Sequence, residues 1–182
     1  MLILLFTKSV RSFLGRAAFA VLAIALLCPV VGAAEKVYEK PSVFMKRQFG
    51  KLPKTQVLEL SGAQAKQLKS IVGRSYPSKK IRYWQASGKT AWILEGIGKS
   101  QLITTGIVVK ADKLTEIKVL VYRESHGWEV TRPFFTKQFV GASLNGKTLN
   151  KKIDGIVGAT LSVNALKKLS AAALYLSQQT GK

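Results

Sequence analysis

Cysteine is almost missing from this chain. The single one, Cys28, falls within an apolar N-terminal stretch. If that stretch is a removed targeting segment, the mature chain carries no thiol, which excludes disulfides, thiolate-held iron–sulfur clusters and c-type haem attachment. Histidine is equally scarce. His126 stands alone, and without a second histidine or a thiol it gives no metal site to expect. Any redox chemistry therefore has to come from an organic cofactor. Acidic side chains are also few, nine Asp and Glu against 29 Lys and Arg, for a formal net charge of +20. Internal repeats and low-complexity stretches are absent. At 182 residues the chain has room for one ordinary domain and a targeting segment, but not for two well-buried cores.

What stands at the N-terminus is a charged start followed by an apolar run. Lys8, Arg11 and Arg16 precede the uncharged stretch Ala17–Leu27, and Pro29 leads into the small residues of Val31-Gly32-Ala33-Ala34. This layout predicts a secretory signal peptide over residues 1–33 and a periplasmic or otherwise exported protein. The run is near the lower limit for spanning a bilayer, so an uncleaved membrane anchor is the alternative. Leu27 before Cys28 is too large for the usual lipidation site. Three of the 29 basic side chains and none of the nine acidic ones lie in residues 1–33, which leaves 26 against nine, or +17, on the folded part. Such a charge invites a nucleic-acid reading. However, the aromatics form no evident RNA-binding motif, and export would remove the chain from such targets. A solvated basic surface, attraction to an anionic membrane surface, or steering toward an acidic redox partner accounts for the same charge.

Further along, Glu35 to Pro53 shows no sustained period and predicts an extended lead-in, with Val43, Phe44 and Phe49 packing locally. Ser61 to Gly73 predicts a short amphipathic helix. Ser61 can cap it, Ala65, Leu68, Ile71 and Val72 recur at helical spacing, and Gly73 can end it in a left-handed turn. Ile81–Gln85 and Thr90–Glu95 flank the turn Ala86-Ser87-Gly88-Lys89 and predict a hairpin. Leu102–Lys110 follows as a third strand with Gly106 as a bulge, and Thr115–Arg123 as a fourth, forming a meander with one buried face. Pro133–Phe139 predicts one or two helical turns. A last helix is expected from about Leu161 to Ser177. The fold class is α+β, a single domain with helices packed on an antiparallel sheet. Residues 34–98 form its N-terminal part and 99–182 the part that carries the chemistry.

That chemistry rests on Asp154-Gly155-Ile156-Val157-Gly158-Ala159-Thr160-Leu161-Ser162, directly before the last helix. Residue types alone are explained by an ordinary turn: Asp-Gly bends the chain, Gly158 and Ala159 allow close packing, and Thr160 caps the helix. The pattern Asp-Gly-x-x-Gly-Ala-Thr, however, resembles the flavinylation motif of the FMN-binding domain family, which includes the flavin-carrying subunits of the sodium-pumping NADH:quinone oxidoreductase and of the Rnf complexes. A second segment, Leu120–Val130, is similar to the family's strand and glutamate-containing turn, with Glu124 at the glutamate position. The resemblance covers about residues 100 to 172. The chain departs from it at Val157, where the family often has Ser or Thr.

The resemblance implies that a flavin transferase moves FMN from FAD onto the hydroxyl of Thr160, leaving a phosphoester. A phosphate there would meet the free amides and positive dipole end of a helix. Gly155, Gly158 and Ala159 would let the enzyme, and later the phosphate, approach the backbone. Ser162 either donates to the phosphate or is a first-turn solvent hydroxyl. Asp154 binds metal, positions the loop for the transferase, or simply forms the turn. Glu124 hydrogen-bonds the flavin ring or caps its own turn. Trp128 and Tyr122 stack on the ring or pack in the core. The function expected is an exported electron-transfer carrier working with a membrane or periplasmic redox partner. The alternatives are a small flavin-dependent reductase of an exported substrate and a cofactor-free basic binding module.

Overall fold

The computed structural model describes residues 35–180. The expected signal peptide or membrane anchor lies outside the described residues. Among those described, no helix is long and apolar enough to cross a membrane.

Six antiparallel strands form the main sheet: β1 (Lys36–Val37), β2 (Gln56–Glu59), β3 (Lys80–Ala86), β4 (Lys89–Ile97), β5 (Leu102–Lys110) and β6 (Lys113–Tyr122), in the order β1-β6-β5-β4-β3-β2. The β3–β4 turn takes Ser87 and Gly88 to φ 53° and 70°, and the β5–β6 turn takes Ala111 and Asp112 to 49° and 58°. Positive φ at both central positions matches the right-handed twist of the flanking strands, so these two-residue turns fix the register of the meander. A small hairpin, β7 (Leu144–Asn145) with β8 (Thr148–Leu149), lies apart from the sheet.

Among the described residues, four α-helices complete the α+β fold: α1 (Pro41–Phe49), α2 (Gly62–Val72), α3 (Pro133–Thr136) and α4 (Thr160–Gln179). In α2 the Ser61 side chain accepts from the Gln64 amide while the Gln64 side chain accepts from the Ser61 amide, and Gly73 closes the helix at φ 84°. Each end thus has its free backbone groups satisfied locally. α2 and α4 share the large core with Trp92, Leu94, Ile103 and Ile107.

The extended lead-in expected before Pro53 is in fact helical over Pro41–Phe49. Pro41 supplies the preset φ of a first helical position, and Phe44 and Met45 are buried on one side. They pack with Ala91, Val108, Leu120 and Val121 in a second, smaller core on the opposite face of the sheet. The meander is therefore covered on both faces, and Ile103 to Val109 of β5 are all buried. Gly106 is not a bulge. It pairs in register with Ile93 and Lys118, while the irregularities fall at Thr104/Thr105 and Val108/Val109. Its role is space, since a Cβ there would come within 2.7 Å of the Phe44 ring.

A charged clasp holds α1 to the sheet. Arg47 reaches Glu39 at 3.1 Å and Glu116 at 2.6 Å, and Lys118 reaches Glu39 at 3.1 Å. Gln48 adds a 2.7 Å bond to Glu116. Burial disfavours charge on both carboxylates, but the hydrogen bonds from Arg47, with Lys118 on Glu39 and Gln48 on Glu116, outweigh it and hold both below their ordinary pKa of 4.5. Groups with lowered folded pKa stabilise above their unfolded value, and that contribution is lost as pH falls through the folded one. Acid unfolding should therefore steepen below pH 4.5. Arg47→Met should flatten this limb in urea midpoints measured from pH 6 downward, and an unchanged slope would show that the clasp does not couple to folding.

Candidate functional site

The long helix α4 begins without a side-chain cap. Its N-cap is Ala159 at φ −119°, and Thr160 is the first helical residue, not the capping one. The first intrahelical bond runs from the Val163 amide to the Ala159 carbonyl at 2.9 Å. The amides of Thr160, Leu161 and Ser162 precede it, so they belong to the turn that a helix leaves unsatisfied. Gly158 reaches φ 81° with open space where a side chain would stand. The Thr160 side chain is exposed.

This helix end lies in a cleft of about 670 Å³ with Glu124, Gly127 and Trp128 on the facing wall. Gly158, Ala159, Thr160 and Ser162 all line it together with Glu124, as does Lys99. Asp154 and Gly155 are exposed and lie outside its lining. The Asp154 amide is tied to the Gln138 side chain at 2.8 Å, which anchors the loop leading into the helix.

Glu124 acts as a clamp on the β4–β5 turn. Its carboxylate accepts from the amides of Ser100 at 2.8 Å and Gln101 at 2.9 Å, and from the Ser100 hydroxyl at 3.2 Å. Burial works against its charge, yet these donors, with the Lys99 amide, hold its pKa below the usual carboxylate range. Glu124→Ala should expose the Ser100 and Gln101 amides to fast hydrogen exchange while the core of β5 stays protected. Unchanged protection of that turn would remove the clamp role.

Ser162 faces inward. Tyr122 donates its one hydroxyl hydrogen to the His126 carbonyl at 2.6 Å, so the buried Ser162 hydroxyl, 3.0 Å from the Tyr122 oxygen, must be the donor of that pair. Burial, together with the nearby charges of Glu124 and Glu129, raises the Tyr122 pKa despite the Ser162 bond, which keeps the phenol neutral. Tyr122 is a core residue beneath the cleft, and what the helix end offers outward is its amides and Thr160, not Ser162 Oγ.

Two glycines that carried no expectation prove essential to this packing. A Cβ on Gly98 would meet Glu124 Oε1 at 2.7 Å and Ser162 Oγ at 3.2 Å. Gly127 is at φ 81°, where a Cβ would meet the Ala159 Cβ and the Tyr122 hydroxyl at 3.0 Å each. The small residue at position 159 is thus required by contact with Gly127. In sequence, both positions look like ordinary loop glycines. Only Gly127, which stands between Glu124 and Trp128 in sequence, offered any signal.

An α+β module whose cleft ends on the open amides of a 20-residue helix is built to receive an anionic group. Residues 98–175 match the family model of the FMN-binding domain, so this part of the chain carries an FMN-binding domain. No curated protein matches the chain. The cofactor is accordingly FMN, and the residues present fit it: uncapped amides and an open left-handed glycine for its phosphate, and a cleft of small-ligand size walled by Trp128 for its ring system.

Proposed function

We propose that FMN is held by a phosphoester bond to Thr160 and that the protein is an exported electron carrier. The observation that carries this is the exposed Thr160 hydroxyl at the first position of an uncapped 20-residue helix, at the edge of a cleft in an FMN-binding domain. In the attachment step Thr160 Oγ attacks the flavin-side phosphorus of FAD, the pyrophosphate bond breaks, AMP leaves and the hydroxyl proton is released. Bound FMN supplies the redox chemistry. The chain's own residues supply position: the α4 amides and dipole face the phosphate, Glu124 fixes the β4–β5 turn, and Trp128 walls the ring space. A covalent bond suits an exported location, where a dissociated flavin would be diluted away.

The test is the intact mass of the full chain after coexpression with an exported flavin transferase. A gain of one FMN less one water is expected, together with removal of residues 1–33 if the apolar segment is a signal peptide. An unchanged polypeptide mass would sink the covalent reading, and flavin released on denaturation would leave a non-covalent FMN protein in its place.

A further inference from the structure

The cleft opens between two flanking depressions. One, of about 350 Å³, shares Glu124, Ser125 and Trp128 with it and brings Lys36 and Arg132 to its edge. The other, of about 230 Å³, shares Leu161 and brings Arg74 and Lys168. With Lys99 inside the cleft, five cations surround the mouth, and none of them pairs with a carboxylate among the described residues. Arg132 lies over the Trp128 ring, 4.9 Å from its centroid. Glu124 and Glu129 are the acidic groups lining the cleft, so the mouth stays positive by three. Between the cations are exposed apolar side chains: Val157 is fully exposed, Leu161 is 52% exposed, Ile97 44% and Trp128 43%. An apolar centre within a charged rim is the anatomy of a protein-docking surface, and the cationic rim selects an acidic partner and speeds its approach.

Resting on the carrier reading above, we propose that the mouth of the cleft is the docking surface for an acidic redox protein. The partner presents carboxylates around its own exposed redox edge and meets the rim formed by Lys36, Arg74, Lys99, Arg132 and Lys168. A protein surface suits the site better than a lipid one, because the apolar side chains border a concave cleft that a flat bilayer does not enter. Association is transient and salt-sensitive, as expected where rim charges set the on-rate and little area is buried.

The test measures binding of the full flavin-loaded chain to an acidic b-type cytochrome by titration calorimetry, with a basic c-type cytochrome as control. At low ionic strength the acidic cytochrome binds and the basic one does not, and binding to the first falls at least tenfold at 0.5 M salt, about three ångströms of Debye screening being reached near 1 M. The double variant Lys99→Glu with Arg132→Glu weakens binding at least fivefold. Lys110→Glu with Lys113→Glu makes the same change in net charge on the pair flanking the β5–β6 turn, where Lys110 lies beside Ser177 and Thr180 at the far end of α4, and weakens it less than twofold. Equal losses for the two pairs would mean that the overall charge acts without a docking site, and would overturn the proposal. So would absence of binding, or equal binding of both cytochromes. Adsorption to phosphatidylglycerol vesicles that is lost with the Lys99 and Arg132 reversals, with no cytochrome binding, would assign the surface to lipid. The mass measurement reports the flavin separately, so loss of the carrier reading and loss of the docking surface are distinguishable.

Discussion

Thr160→Ala is expected to remove the covalent flavin completely, leaving the polypeptide mass of the unmodified chain under conditions where wild type gains one FMN less one water. The substitution deletes the only atom at that position able to form the ester. It does so at little structural cost, because Thr160 is exposed, helical, and not the N-cap. Alanine is the better helix former by roughly half a kcal/mol, so the urea midpoint should stay level or rise slightly. A loss of flavin with undiminished stability separates chemistry from folding. Thr160→Ser keeps the hydroxyl and should retain the mass gain, although removing the methyl group frees rotation at χ1. If Thr160→Ala still gained the mass, the ester would lie on another hydroxyl and the helix-end site would lose its central atom. Ser162 would be a poor substitute, since its buried hydroxyl is committed to Tyr122.

How much of this could be read from the sequence depended on how local its cause was. The α2 helix was legible because its start and stop are written in adjacent residues, Ser61 with Gln64 and then Gly73. The β3–β4 hairpin and β5 were legible for the same reason, through turn chemistry and strand composition. α4 extends one residue earlier and two later than expected. Thr160 was therefore found by its motif but misplaced by one helical position as a cap. What stayed hidden was set by long-range contact. α1 is short, and Phe44 and Met45, its buried residues, have a sheet face to bury against. β2 is an edge strand with mostly exposed residues, paired only with β3. Gly98 and Gly127 owe their importance to side chains far along the chain. The open choice at Glu124 between ring contact and turn cap meets a carboxylate already occupied by the amides of the β4–β5 turn.

Phe44→Ala should destabilise the domain by about 3–5 kcal/mol, as expected for deleting a fully buried phenylalanine. The consequence reaches beyond α1. The match to the FMN-binding domain family begins at residue 98, yet the Phe44 ring lies directly over Gly106 in the middle of β5, inside the matched segment. The N-terminal helix is thus part of the structure that supports the flavin site, and urea unfolding followed by tryptophan fluorescence should show one transition shifted to lower urea, not a separate early loss of α1. The pair also gives a sharper test. Gly106→Ala alone should be destabilising, because its Cβ would stand 2.7 Å from the ring. In the Phe44→Ala background the same methyl group enters vacated space and replaces a flexible strand glycine, so it should be neutral or stabilising. A reversal of sign between the two backgrounds is an interaction energy that only direct contact produces. Strict additivity would mean that Gly106 is kept for some reason other than the ring above it, and that α1 rests on the sheet without locking into it.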